Sequence, residues 1–134
     1  KNDSFNFAKP NLKNFMSSLN IVYGEQVGTH FDLSHRPLSL GREASRDIQI
    51  TDPKVSRKHA LIKPSGDSYV IQITEGKNPI KINGKSIADE AVLVEGDLLT
   101  LGDTLLFYTE LQEEERVNAV NERKVRLAND RTIM

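Results

Sequence analysis

The segment LSLGREASRDIQITDPKVSRKH, residues 38–59, decides how the rest of the chain is interpreted. It holds two polar clusters, Gly41-Arg42 and the SRKH run at 56–59, and each borders a short apolar run. Such positions are where strands meet loops, and loops on a rigid scaffold carry a large share of binding groups. The segment therefore predicts a binding site rather than a part of the core.

The polar residues of this segment suit a phosphate group. Arg42 is permanently charged and can donate two parallel hydrogen bonds to a phosphomonoester. The hydroxyl of Ser56 adds a neutral donor, and Arg57 adds a second charge. Each hydrogen bond to a charged group contributes about 1.5–3 kcal/mol net, so three or four of them would give a useful and reversible affinity.

Several short motifs extend this pattern along the chain. They are GR at 41–42, DIQI at 47–50, VSRKHA at 55–60, NG at 83–84, VEGD at 94–97 and LG at 101–102. In this order and spacing, the motifs make the region 38–108 resemble a forkhead-associated (FHA) domain, a module that binds phosphothreonine peptides. The resemblance covers about half of the chain and implies a β-sandwich whose loops at one end bind the ligand.

The resemblance also implies a role for each residue of the two clusters. Arg42 and Ser56 would hold the phosphate, and Arg57 would contact the phosphate or the peptide backbone. Gly41 would leave space beside the charge of Arg42, and His59 would brace the binding loop from within. The simpler alternatives are an ordinary surface arginine at 42 and a serine at 56 that only caps its loop.

One part of the sequence departs from the FHA pattern. Counted back from the turn at Asn83-Gly84, the peptide-binding asparagine falls on Asn78 and the preceding phosphate contact on Lys77. The glycine expected next is Pro79, which stiffens the loop and removes a backbone donor. Asn83 and Gly84 are expected to form a tight turn that supports the site architecturally.

The sequence argues against catalysis and against metal or cofactor chemistry. Ser56 lies three residues before His59, but no Gly-x-Ser-x-Gly elbow and no orienting acid accompany them. The chain has no cysteine, and His30, His35 and His59 lack metal-like spacing. We therefore predict no catalytic residue, no metal and no cofactor.

Composition limits the class of protein. The 134 residues suffice for one domain with a core. A net charge of −1 argues against a nucleic-acid partner. No apolar run approaches the ~18 residues of a membrane span, and no signal peptide is visible. These features favour a cytoplasmic protein.

Short apolar runs separated by turn residues predict an all-β fold, an antiparallel sandwich of about eleven short strands with a C-terminal helical extension. The clearest runs lie at 19–23, 27–33, 38–40, 48–50, 60–63, 69–73, 80–82, 91–94, 98–101 and 105–108. Composition divides the chain into a flexible leader at 1–18, the FHA-like domain at 19–110 and a helical linker at 111–134. Docking of Phe5 and Phe7 is the alternative for the leader.

The stretch 111–131 contains no Gly or Pro and favours one helix. A set of positions at alternating three- and four-residue steps could form a coiled-coil seam: Glu113, Val117, Val120, Lys124, Leu127, Arg131 and Met134. A solvated linker helix, a dimerising helix and disorder all stay open. Because both ends look cut from a longer protein, we expect a missing output domain. The arrangement looks like bacterial FHA proteins that carry a diguanylate cyclase (GGDEF) domain, an analogy at the level of the fold.

The predicted function is therefore phosphothreonine-peptide binding in signal transduction, without catalysis. The rival prediction is a structural protein–protein interaction module that needs no phosphate. The ligand comes from a separate partner or from the chain's own terminal segments. Among the threonines, Thr132 alone lies in a terminal extension.

Overall fold

Eleven strands and one helix make up residues 17–129, the part of the chain that this computed structural model describes. The elements are β1 (Ser18–Tyr23), β2 (His30–Asp32), β3 (Leu38–Gly41), β4 (Ile48–Gln49), β5 (Ala60–Ser65), β6 (Ser68–Ile73), β7 (Ile80–Ile82), β8 (Lys85–Ser86), β9 (Glu90–Leu93), β10 (Leu98–Leu101), β11 (Thr104–Thr109) and α1 (Glu113–Asn129). Apart from Ser17 and Ser18, the leader lies outside the described residues.

The strands form two sheets packed as a sandwich. One sheet has the order β2-β1-β11-β10-β7-β8, and the other has the order β4-β3-β5-β6-β9. The prediction of an all-β sandwich with about eleven strands and a C-terminal helix is confirmed.

One pair of strands departs from the antiparallel arrangement, because β3 and β4 pair in parallel. Hydrogen bonds between Ser39 and Asp47 bring the chain back beside the start of β3. The Asp47 carboxylate accepts from the Ser39 amide at 2.9 Å, and the Asp47 amide donates to Ser39 Oγ at 3.0 Å. The Arg36 guanidinium at 3.1 Å and the Ser39 amide lower the pKa of Asp47 to about 2. The loop between the two strands is thereby held at its base.

Alternating apolar residues from both sheets fill the space between them. Leu40 and Ile71 from one sheet and Ile21 and Leu99 from the other are fully buried. Burying such a side chain contributes about 1.5–3 kcal/mol. The sandwich is therefore a rigid scaffold for its loops.

The helix α1 packs on the outer face of the six-stranded sheet. Val120 and Leu127 are buried there against an apolar cluster that includes Val22, Leu105 and Phe107. No helix within residues 17–129 has both the length and the apolar character needed to cross a membrane.

The predicted coiled-coil seam is only partly the buried face of this helix. The residues that contact the sheet recur at 116, 120, 123 and 127, which is the spacing of one helix face. Val117, a predicted seam residue, is 41% exposed. Arg131 and Met134 lie outside the described residues. The two seam residues Val120 and Leu127 are used within the chain, and they are not available to a partner helix in this conformation.

Candidate functional site

Three loops meet at one end of the sandwich and form a cleft of about 280 Å³. They follow β3, connect β4 to β5, and connect β6 to β7. The cleft is lined by Arg42, Pro53, Lys54, Val55, Ser56, Arg57, Lys58, Glu75, Lys77 and Asn78. All five residues predicted to contact a phosphopeptide are in this set.

Arg42 directly follows β3, and a hydrogen bond fixes the position of its guanidinium. Its Nε donates to the carbonyl of Val55 at 2.9 Å, and its backbone amide donates to the carbonyl of Ser56 at 3.0 Å. Nε is used in this way, and the two terminal nitrogens donate no hydrogen bond within residues 17–129. They are the forked donors that a phosphate oxygen pair can accept from.

Gly41 permits the close approach of this strand to the 55–59 loop. A Cβ at Gly41 would lie 2.1 Å from the carbonyl oxygen of Arg57 and 3.1 Å from that of Ser56. No side chain fits at that distance from rigid backbone. Gly41 therefore positions Arg42 by allowing close contact between the two backbones.

Ser56 connects two of the loops through its side chain. Its Oγ accepts a hydrogen bond from the backbone amide of Lys77 at 3.0 Å. The hydroxyl proton stays available to donate to an anion in the cleft. Lys77 is thus attached through its backbone, and the residue itself is exposed.

His59 is fully buried beneath the cleft, and its two ring nitrogens hold two loops. Nδ1 accepts from the backbone amide of Ser56 at 2.9 Å, so the ring proton is on Nε2, which lies 3.0 Å from the carbonyl of Asn78. Burial lowers the pKa of His59 below its usual 6.5, although the hydrogen bond to Asn78 favours the proton. The ring is therefore neutral, and both of its nitrogens are engaged with backbone groups in a fully buried position, as expected of a structural residue.

Gly76 is a supporting residue that sequence reasoning missed. A Cβ there would lie 2.4 Å from the imidazole ring of His59. The signal for it was a glycine two residues before Asn78 in a polar loop. It allows the loop between β6 and β7 to lie directly on His59.

Asn78 links the third loop to the second. Its amide nitrogen donates to the carbonyl of Lys54 at 2.8 Å. The amide oxygen accepts no hydrogen bond from residues 17–129, so it can accept from the backbone of a bound chain. Pro79 is exposed and lies outside the cleft lining.

Asp52 was also missed, and it anchors the loop between β4 and β5. Its carboxylate accepts from the amide of Lys54 at 2.8 Å, the amide of Asp103 at 2.6 Å and the hydroxyl of Thr104 at 2.9 Å. Burial raises the pKa of Asp52, but these hydrogen bonds outweigh it and leave the pKa lowered overall. No local pattern in the sequence points to this role, because Asp103 and Thr104 lie about fifty residues away.

Asn83 and Gly84 are not part of the cleft lining. They form the turn between β7 and β8 with φ values of 52° and 88°, which confirms the predicted turn. The Asn83 side chain donates to Asp97 at 2.9 Å and accepts from the amide of Leu98 at 3.0 Å. These contacts stabilise the sandwich at a place away from the cleft.

The cleft is strongly cationic. The sequence prediction did not include Lys54, Lys58 and Glu75, which also line it. Lys54 forms a salt bridge with Asp103 at 3.2 Å. Within residues 17–129, no cluster of His, Cys, Asp and Glu is arranged to hold a metal ion. The arrangement of donors suits a phosphate group attached to an extended chain.

Comparison with known proteins agrees with this geometry. The family model described as "FHA domain" matches residues 38–102. The chain is 31% identical over 88 residues to the proliferation marker protein Ki-67 of Mus musculus, a match that covers 66% of this chain and 3% of that protein. It is 31% identical over 85 residues to the glycogen accumulation regulator GarA of Mycolicibacterium smegmatis, which covers 63% of this chain and 53% of GarA.

A solved structure of the same fold is EmbR of Mycobacterium tuberculosis in complex with a low-affinity phosphopeptide. It superposes with a TM-score of 0.65 at 24% identity, over 72% of this chain and 25% of that one. This chain spans about half of GarA and a small fraction of Ki-67.

Proposed function

Because this chain belongs to the FHA domain family through residues 38–102, we propose that its loop cleft binds phosphothreonine peptides and that the domain catalyses no reaction. One observation carries the proposal. The anchored guanidinium of Arg42 and the hydroxyl of Ser56 are held together by backbone contacts, and both have donors to spare. Donors held in place before binding lose little conformational entropy when an anion arrives.

The kind of peptide follows from the chemistry of the cleft. A phosphate on threonine supplies the acceptors for Arg42 and Ser56, and the oxygen of Asn78 can accept from the peptide backbone. EmbR in complex with a phosphopeptide, which shares this fold, supports the assignment.

The test is a titration of paired peptides. An oriented phosphothreonine library supplies one binder, which is then made in phosphothreonine, phosphoserine and unphosphorylated forms. We expect the phosphothreonine form to bind best. The phosphoserine form should bind about fourfold or more weakly, because it lacks a methyl group worth ~0.8 kcal/mol in transfer free energy. The unphosphorylated form should not bind measurably.

The same titration is repeated with three variants. Arg42→Ala should weaken binding at least ~10-fold by removing charged hydrogen bonds. Its melting temperature should change little, since Arg42 is exposed and only the hydrogen bond from its Nε to Val55 is lost. Arg57→Ala should lose less affinity than Arg42→Ala. Arg126→Ala, at an exposed position on α1, is the control and should bind the peptide as tightly as the parent. Equal binding by Arg42→Ala and the parent would overturn the proposal.

The rival function, a structural interaction module that needs no phosphate, predicts the opposite outcome. Such a module would bind the phosphorylated and unphosphorylated peptides equally. This rival does not explain why Arg42 and Ser56 keep hydrogen-bond donors that no group among the described residues accepts.

We further propose that the domain reports phosphorylation to an attached output domain, in the cytoplasm where ATP-dependent kinases act. Control of a diguanylate cyclase is the narrowest form of this proposal. Cyclic di-GMP synthesis by the full-length protein, measured with and without the bound phosphothreonine peptide, tests it. Synthesis that does not respond to the peptide, or no synthesis at all, would contradict it.

A further inference from the structure

The cleft carries more positive charge than one phosphate neutralises. Five cationic residues line it beside a single acidic residue, Glu75; they are Arg42, Lys54, Arg57, Lys58 and Lys77. Lys54 is paired with Asp103 outside the lining. Within residues 17–129, none of the other four cations forms a salt bridge, and Glu75 forms none either.

A phosphothreonine brings a charge of about −1.5 to −2 at pH 7. If Glu75 compensates one of the four unpaired cations, the phosphate still leaves about one positive charge without a partner. A ligand surface that complements this potential needs a further negative group close to the phosphate.

Lys58 and Lys77 are the two cations best placed for that group. Lys77 is attached through its backbone amide to Ser56 Oγ, so its side chain starts beside the phosphate donors. The carbonyl of Lys58 accepts from Thr74 Oγ1 at 3.4 Å, which holds it where the second and third loops meet. Both side chains are exposed. A lysine ammonium is a compact charge on a flexible stem, suited to anions whose position varies.

We propose that the preferred ligand has a second anionic side chain next to its phosphothreonine, and that Lys58 and Lys77 select it. This proposal rests on the function proposed above. The second anion is the carboxylate of Asp or Glu or a second phosphate, since both present the same chemistry to an ammonium group.

Three synthetic peptides with one phosphothreonine in common test the proposal. They carry glutamine, glutamate or one phosphoserine at the positions flanking it. The parent should bind both anionic peptides more tightly than the glutamine peptide, by about 1.5- to 5-fold for each ion pair formed. The preference should shrink as ionic strength rises. If the phosphoserine peptide binds more tightly than the glutamate peptide, the second anion is a phosphate. If the two bind equally well, the site selects negative charge without distinguishing phosphate from carboxylate.

The variant that removes both cations is Lys58→Gln with Lys77→Gln. The ratio of its dissociation constants for the glutamine and glutamate peptides should fall towards one, whatever its absolute affinity. Lys85→Gln, an exposed lysine on β8, removes one charge outside the cleft and should keep the parent's ratio.

The two proposals fail in different ways. A parent that binds all three peptides equally overturns the acidic preference but leaves phosphothreonine binding intact. A preference that survives in the double variant overturns the assignment to Lys58 and Lys77. If the parent binds none of the three peptides, both the proposed function and this inference are contradicted.

Discussion

His59 shows how one buried side chain can hold a binding site together. Its ring connects the amide of Ser56 to the carbonyl of Asn78, and its backbone carbonyl accepts from the amide of Thr74. Two of the three loops of the cleft, the one before β5 and the one before β7, therefore depend on a neutral, correctly oriented imidazole. A second proton would place an N–H donor on Nδ1 opposite the Ser56 donor, and that contact would be lost.

His59→Ala should lower both stability and phosphopeptide affinity. It leaves two partly buried backbone groups without partners, for which about 1–3 kcal/mol each is the upper range, and it opens a space beneath the loops. Denaturant unfolding and peptide titration measure the two effects. His30→Ala, which removes an exposed histidine, is the control and should match the parent in both. An unchanged free energy of unfolding in His59→Ala would contradict the structural role.

The same residue should make stability depend on pH. The pKa of His59 is lower in the folded state than its unfolded value of 6.5, so below pH 6.5 the unfolded chain binds a proton that the folded chain does not. The free energy of unfolding should fall as pH drops from 6.5 through the folded pKa. Asp47 and Asp52 also have lowered pKa values, and their contributions are lost only below 3.8. Unfolding at pH 7 and pH 5 should differ less in His59→Ala than in the parent.

The helix α1 is the element whose structure differs most from what the sequence predicted. Besides its two buried apolar residues, it uses two arginines. Arg116 donates to Asn20 Oδ1 at 2.9 Å, and the Arg123 guanidinium lies 5.0 Å from the centre of the Phe107 ring. These contacts make the helix a cover on the outer face of the six-stranded sheet. The cleft loops belong mainly to the other sheet.

Leu127→Ala should therefore destabilise the helix and leave the cleft unchanged. Replacing a buried leucine costs about 2–5 kcal/mol, and we expect the lower end because Leu127 lies near the end of the helix. Val125→Ala, at a position 61% exposed, is the matched control and should cost little. Hydrogen exchange should speed up over 116–129 in Leu127→Ala alone. Phosphopeptide affinity should equal that of the parent, and a large loss would show that helix and cleft are coupled.

At the scale of the whole molecule, the open question is which chain supplies the ligand. Thr104 and Thr109 are buried in β11 and are not accessible to a kinase. Thr29, Thr51 and Thr74 are exposed in connecting loops. Thr132 lies outside the described residues. A threonine in a terminal segment is the self-derived source we propose, alongside a separate phosphorylated partner.

A self-derived ligand should compete with added peptide. A short flexible tether gives an effective concentration in the ~mM range, so phosphorylation of the full-length protein should reduce its binding of a labelled phosphothreonine peptide. The reduction should not depend on protein concentration. Thr132→Ala should restore peptide binding if that residue is the ligand. Undiminished binding by the phosphorylated protein would contradict the self-derived source and favour a separate partner.

The sequence by itself determined the class of fold and identified the polar residues that the fold brings together in the cleft. Strand periodicity and turn residues are local properties, so the apolar runs predicted nearly every strand, and Asn83-Gly84 predicted its turn. Arg42, Ser56 and His59 were identified because they lie in short motifs. Their chemistry depends on residue type more than on distant neighbours.

Tertiary structure decided how those residues are held. The parallel pairing of β3 and β4, the approach of Gly76 to His59 and the anchoring by Asp52 all depend on contacts between separate loops. The packed face of α1 depends on residues as far apart as Arg116 and Asn20, which are 96 positions apart in the chain. Helical periodicity shows that an apolar face exists, but only the sheet that it meets decides which side chains are covered, because burial is a property of both surfaces.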